Sequence, residues 1–248
     1  MKVVIIGGGP AGMMAAIAAA YNGNEVSIYE KNEKLGKKLF ITGKGRCNVT
    51  NAGTLEDIES HIVKNSKFMY SSLSEYNNID IYDFFESRNC KLKVERGNRV
   101  FPVTDKSSDI IKTLKKEIDN LNIKVFLNTN IIDIKEKDGK FYYLITNKNE
   151  KIFADKCIVA TGGKSYPVTG SIGDGYRWGK NLGHNVITVL PALVPLVLKE
   201  KEAGTLQGLS LKNVDVQFIY KDKVIYEEMG EMLFTHYGIN LISYIFFF

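Results

Sequence analysis

Three glycines and one acid carry the first chemical hint. Gly7, Gly9 and Gly12 stand in the spacing Gly-x-Gly-x-x-Gly within "VVIIGGGPAGMMAAIAAAYNGNEVSIYE", residues 3–30, and Glu30 closes that stretch. The first glycine permits a tight turn, the second lets backbone approach a pyrophosphate, and the third lets a helix pack closely on a strand, a packing that Ala16 continues. A helix opening at Pro10 would aim its unpaired amides and positive dipole end at phosphates. Glu30, about 20 residues on, is positioned to accept hydrogen bonds from a ribose diol. A glycine turn that merely joins packed elements would not need that acid. The pattern points to an adenine dinucleotide, with NAD and FAD both open at this point.

The elements needed to hold these groups are readable nearby. Lys2–Ile6 is β-branched without alternation, the pattern of a strand buried on both faces. Pro10–Tyr21 reads as a helix, with proline where no donor is needed. Asn22-Gly23-Asn24 ends it, and Glu25–Tyr29 is a second strand, so the unit is βαβ with parallel strands. Residues 31–54 hold four glycines and no period, which predicts a long loop. Helical patterns follow at 55–75 and 80–88, short strands at Lys91–Glu95 and Arg99–Phe101, and an amphipathic helix over Asp105–Asn120. Runs at Lys124–Leu127, Ile131–Glu136, Phe141–Thr146 and Ile152-Phe153 come next. The later ones are separated by turn residues, as in an antiparallel meander. "CIVATGG", 157–163, is another apolar strand ending on glycines. The character changes again at "LPALVPLVL", 190–198, and new strands are expected at 214–220 and 223–226.

That order separates the two cofactors. An NAD dehydrogenase would run on from Glu30 into further α/β units. Here a Gly-rich loop, a meander and a return to the sheet at "ATGG" follow, which suits the longer body of FAD. The acid at position 30 also disfavours a 2′-phosphate.

Bulk properties narrow the class further. The 248 residues are 44% hydrophobic and 25% charged, an ordinary globular composition. The 33 basic and 28 acidic residues give +5, with no basic run beyond pairs such as Lys37-Lys38, so nucleic acid is not expected as a partner. Three dispersed cysteines, Cys47, Cys90 and Cys157, argue against a disulfide framework and for a reducing cytoplasm. No apolar run reaches the ~20 residues of a membrane helix, and no leader is expected.

Five motifs in order carry a resemblance: "GKKLFITGKGRCNVTN" (36–51), "ERGNRVFP" (95–102), "ATGGKSYPVTGSIGDGYRWGKNLGH" (160–184), "PALVPL" (191–196) and "GEMLFTHYG" (230–238). The chain resembles the bacterial BaiN-type NAD(P)/FAD-dependent oxidoreductases, also called aminoacetone-oxidase-like flavoproteins. The resemblance implies an α/β fold: a Rossmann-like, glutathione-reductase-like FAD-binding domain, a β-meander, and the start of an inserted β-rich substrate domain. It divides the chain into 1–189, 190–239 and a tail, 240–248. It implies FAD as cofactor, NAD(P)H as reductant, and hydride transfer to a small or flat organic substrate such as an enone.

By position the resemblance assigns Ala11, Gly12 and Glu30 to the ADP half of FAD. It runs Lys38 and Arg46-Cys47-Asn48 along the pyrophosphate and towards the flavin. Ile131 would meet adenine through backbone, and Thr161-Gly162-Gly163 would return the chain against the dinucleotide. Lys38 and Arg46 can offset diphosphate charge. Cys47, with no partner cysteine, reads as a small packed residue rather than a redox thiol.

Other candidates have plainer readings. Gly173-Asp174-Gly175 could place a carboxylate near the cofactor, although a cap on the helix over "GYRWGKNLG" is the favoured reading of Asp174. His184 and His236 are the only plausible acid/base histidines, with a structural role favoured for each, and His61 is expected to be a surface residue. Tyr166, Tyr176 and Trp178 could flank a flavin or a flat substrate, with core packing the favoured reading. No catalytic residue and no metal ligand is assigned. After Ile239 the family pattern would continue with Ser-Gly-Pro and a further substrate and FAD segment. The chain instead reads "NLISYIFFF", from which a frameshift or premature end near residue 240 is expected, together with a second reading of a catalytically inactive dinucleotide-binding fragment. An RNA-modifying flavoprotein is a third, less favoured reading on charge.

Overall fold

β-branched residues with no polar break make Lys2–Ile6 a strand, β1, whose two faces are both buried. Val3 and Ile5 point to one side of the sheet, and Val4 and Ile6 to the other. The computed structural model describes residues 1–62, 64–190, 195–199 and 201–241. By contacts the chain divides into two units, the first Met1–Val186 and the second beginning at Ile187.

In the first unit, β1 leads into helix α1 (Pro10–Tyr21), which has proline in its first turn, and then into β2 (Glu25–Tyr29). The run 31–54, expected as loop, contains a short helix α2 (Lys37–Ile41) and strand β3 (Thr50–Asn51). The helical stretch expected at 55–75 is two helices, α3 (Leu55–Ser60) and α4 (Ser66–Glu75), because Asn65 between them is left-handed, φ 59°. Helix α5 (Asn78–Glu86) starts on an Asn77 capping box. Strands β4 (Leu92–Glu95) and β5 (Arg99–Pro102) pair antiparallel with β3 at the β5 edge. Then come α6 (Ser107–Asn120), β6 (Lys124–Phe126), the strands β7 (Ile131–Lys137), β8 (Lys140–Thr146) and β9 (Lys151–Phe153), β10 (Lys156–Val159), and α7 (Asp174–Asn181).

The main sheet has the order β10-β1-β2-β6, all parallel. Lys124–Phe126 is thus the edge of this sheet and not part of the meander, which is β7-β8-β9. One face of the sheet is covered by α1 and α6 through Met13, Ile17, Ile110, Leu114 and Ile118. The meander covers the other with Ile131, Ile134 and Leu144, joined by Trp178. Each such fully buried side chain contributes roughly 1.5–3 kcal/mol of transfer free energy, so the strand ends that build the site stand on a rigid base.

The second unit is one antiparallel sheet, order β11-β14-β13-β12, formed by β11 (Leu196–Val197), β12 (Ser210–Tyr220), β13 (Lys223–Thr235) and β14 (Gly238–Leu241). Asn240 and Leu241, the first described residues of the expected aberrant tail, lie in β14 register opposite Leu233 and Met232. Residues 242–248, and most of "PALVPL", lie outside the described residues. Among the described residues no helix is long and apolar enough to cross a membrane.

Candidate functional site

The C-terminal ends of β1, β2 and β10 converge on one cleft of about 490 Å³, where ligands of open parallel sheets bind. Its floor is the turn Gly7–Gly9. Gly7 has φ +105°, a conformation that a side chain resists, and a Cβ there would lie 2.5 Å from the Ala160 carbonyl oxygen. Gly7 N donates to Tyr29 O at 2.9 Å, and Ala160 N donates to Ile6 O at 2.8 Å, so the turn is seated on both neighbouring strands. A Cβ on Gly12 would drive into the Gly7 carbonyl oxygen, which makes Gly12 the close-packing glycine under the turn. Gly9 differs: nothing lies within 4 Å of its Cβ position, because it faces the open cleft. It is also the N-cap of α1 and supplies no side-chain cap. Pro10 has no N–H, and the first-turn amides behind it find no acceptor within the helix.

Glu30 ends β2 as a buried carboxylate. Its Oε2 accepts from Gly8 N at 2.6 Å, and its Oε1 accepts from Asn32 N at 2.8 Å and Asn32 Nδ2 at 2.6 Å. The acid therefore braces the glycine turn as well as facing the cleft. Lys38, on α2, lies in the same cleft with its Nζ 3.2 Å from Ser165 Oγ, and burial holds its ammonium below the usual lysine range.

Of the residues singled out in the sequence, Gly7, Gly9, Ala11 and Glu30 line this cleft, and so do Lys38, Ile131, Thr161 and Gly162. Gly12 is buried beneath it. Gly163 does not line it; its Cβ position is 3.4 Å from the Tyr176 hydroxyl. Arg46, Cys47 and Asn48 are not brought to it. Arg46 is committed elsewhere: its guanidinium pairs with Glu95 and with Asp105 (Nε–Oδ1 2.7 Å) and lies 4.1 Å from the Phe101 ring centre. Lys93, 2.7 Å from Asp105 and 3.3 Å from Glu95, completes that cluster. Expected beside a diphosphate, Arg46 instead rivets the turn after α2 to the small sheet. The Asn48 amide faces the carbonyls of Thr50 and Val100, which its nitrogen reaches at 3.0 and 3.2 Å once the amide is turned over to satisfy both.

Cys47 is buried in the core with its thiol pushed up to about 11 by burial, and Cys157 likewise to about 12. Cys90 is raised for the same reason, and all three thiols are free. Asp174 lines the cleft, in line with a carboxylate placed near the cofactor, and does not act as the helix cap. Its carboxylate is taken by Lys31 (2.9 Å) and Arg177 (3.2 Å) instead. Trp178 is core, donating from Nε1 to Ile132 O at 3.2 Å, while Tyr166 and Tyr176 are exposed. His184 and His236 are also exposed, and His61 bonds through Nδ1 to Asp57 O. Among the described residues, no group of three or more His, Cys, Asp or Glu side chains converges as a metal site. Sequence reasoning missed Asn32, whose Glu-x-Asn spacing was the available signal, and Asp174's partner, for which no local signal exists.

A family profile described as the HI0933-like protein Rossmann domain matches residues 1–236. The chain belongs to this family. The family model describes a Rossmann domain, in keeping with the parallel sheet and glycine turn of the first unit. The chain is 31% identical over 241 residues to the 3-dehydro-bile acid delta(4,6)-reductase of Clostridium scindens, covering 96% of this chain and 58% of that protein. It is 29% identical over 242 residues to the ribosomal RNA dihydrouridine synthase of Haemophilus influenzae, again covering 96% and 58%. The chain thus spans a little under three-fifths of these curated relatives. Among solved structures it is similar to the open conformation of a flavocytochrome c3 fumarate reductase, with TM-score 0.55, 19% identity, and coverage of 86% of this chain and 47% of that one. That likeness speaks to the fold.

Proposed function

We propose that the cleft binds FAD and that the chain is part of an FAD-dependent oxidoreductase that takes reducing equivalents from NAD(P)H. The observation that carries this reading is the pairing of an open Gly9 at an uncapped helix N-terminus with the buried Glu30 carboxylate across one cleft. The residues fit the group. The first-turn amides of α1 beside Gly9 would take the diphosphate, with Lys38 as counter-charge. Glu30 would accept from the adenosine ribose, and backbone at Ile131 would meet adenine. Thr161 and Gly162 would lie along the dinucleotide, with Gly163 following them. When bound, FAD would relay hydride from a nicotinamide to one carbon of the double bond of a conjugated carbonyl compound, with a solvent proton completing the other carbon. The side chains then have to bind and orient, and none of them is assigned as an acid or base.

We read 1–189 as the FAD-binding domain and 190–239 as the start of an inserted substrate domain, a boundary three residues beyond the break between the two units. Three free thiols fit a reducing cytoplasm. A small, flat enone is the substrate class favoured here. Uracil also carries a double bond conjugated to a carbonyl, and two relatives are named as ribosomal RNA dihydrouridine synthases. That favours a second reading, in which RNA is the substrate of the same chemistry.

The visible spectrum of the purified chain, incubated with FAD and then NADPH, is the test. Flavin absorbance that stays with the protein and bleaches on NADPH supports the reading. A folded chain that retains no flavin leaves the alternative of an inactive fragment. Salt-sensitive binding of a labelled ribosomal RNA segment would favour the second substrate class.

A further inference from the structure

Three lysines line the cleft, and their surroundings differ. Lys38 has the Ser165 hydroxyl for a partner. Lys37 lies 3.1 Å from the exposed Glu33. Lys31, next in sequence to Glu30, is held 2.9 Å from Asp174 Oδ2, with side chains only 24% and 13% exposed, so the pair is screened less than a surface pair. The other oxygen of Asp174 lies 3.2 Å from Arg177. On the neighbouring residue, Asn32 Nδ2 donates both to Glu30 Oε1 (2.6 Å) and to Thr169 O (3.1 Å). The two residues that follow the acid are thus both tied to the segment 169–174 across the cleft.

This arrangement decides what the ribose end can accept. A 2′-hydroxyl can donate to the Glu30 carboxylate, which Asn32 and Gly8 N hold in place. A 2′-phosphate would be repelled by that carboxylate and needs a cation beside it. Lys31 is suitably placed in the chain, but its charge is already matched by Asp174. We propose that Asp174 is a specificity determinant: by holding Lys31, it sets this cleft to take an adenine nucleotide with a free 2′-hydroxyl and to refuse a 2′-phosphate. The inference rests on the dinucleotide reading above. It concerns the cleft at Gly7–Glu30, not the docking of a nicotinamide reductant.

Calorimetric titration of the full chain with ADP-ribose and with 2′-phospho-ADP-ribose tests it, since the two probes differ only at the 2′ position. The wild-type chain is expected to prefer ADP-ribose by about tenfold or more. Asp174→Asn, nearly isosteric, frees Lys31 and narrows that preference about tenfold by tightening the 2′-phosphate probe. Adding Lys31→Met to Asp174→Asn restores the preference, and Asp174→Glu, which keeps the pair, leaves it as in wild type. A preference unchanged in Asp174→Asn overturns the proposal, as does a narrowing that survives Lys31→Met. A chain that binds ADP-ribose with these ratios but refuses FAD removes the flavin reading and leaves this one standing. A folded chain that binds neither ADP-ribose nor FAD overturns both.

Discussion

At the scale of single residues, the site works through contrasts between neighbours of the same type. Gly9 is open where Gly7, Gly8 and Gly12 are crowded, so three glycines serve the fold and one serves the ligand. Gly7→Ala, at φ +105° and against the Ala160 carbonyl, is expected to destabilise the first unit by about 2–3 kcal/mol, read by denaturant unfolding. Gly8→Ala should drive its new methyl into Leu35 Cδ2. A double-mutant cycle with Leu35→Val is expected to show coupling between the two positions, whereas strictly additive changes would disprove the clash. Lys38 is the residue with a pH signature. Burial lowers its ammonium from the usual lysine range, and a bound diphosphate favours the charged form, so at alkaline pH around and above that lowered value binding takes up a proton. Nucleotide affinity should therefore fall as pH rises through that lowered value. Lys38→Met should cost about tenfold in affinity near neutrality and abolish the alkaline decline, as measured by titration across pH.

At the scale of elements, the Arg46 cluster shows how a long irregular run is held. Glu95 is lowered by its bond to Arg46, and Asp105 by its bond to Lys93 and then Arg46. Both carboxylates have folded values below their unfolded 4.5 and 3.8, so their contribution is present above those values and is lost as pH falls through the folded ones. Acid unfolding should therefore steepen below about pH 4, and Arg46→Met should flatten that limb in a thermal melt series. None of these partners could be read from sequence, because they lie tens of residues from Arg46 and a loop of 24 residues has no period to place it. The βαβ unit was legible because β1, α1, β2 and Glu30 are contiguous and each carries its own local signal. The five-residue α2 was too short for periodicity, and the run at Lys124–Leu127 was legible as a strand, but nothing local says that it pairs with β2 rather than with the meander. Of the two readings of Asp174, the cap fails because Lys31, 143 residues away in sequence, takes the carboxylate from the backbone, while its place at the cleft agrees with the other.

At the scale of the whole molecule, the two units differ in how much apolar surface they bury. The first has covered faces on both sides of its parallel sheet. In the second, Gly238 is the only buried residue among those whose burial is described. Native-state hydrogen exchange is expected to show slow amides in β1 and β2 and markedly faster exchange in the β12–β13 hairpin; equal protection would contradict this. The three thiols have a different, practical consequence. With Cys47 near 11 and Cys157 near 12, and Cys90 also raised, almost no thiolate exists at neutral pH for an electrophile to find. The native chain is thus a silent background for maleimide chemistry, and one cysteine introduced at an exposed cleft residue would carry a fluorophore as the sole reporter of nucleotide arrival.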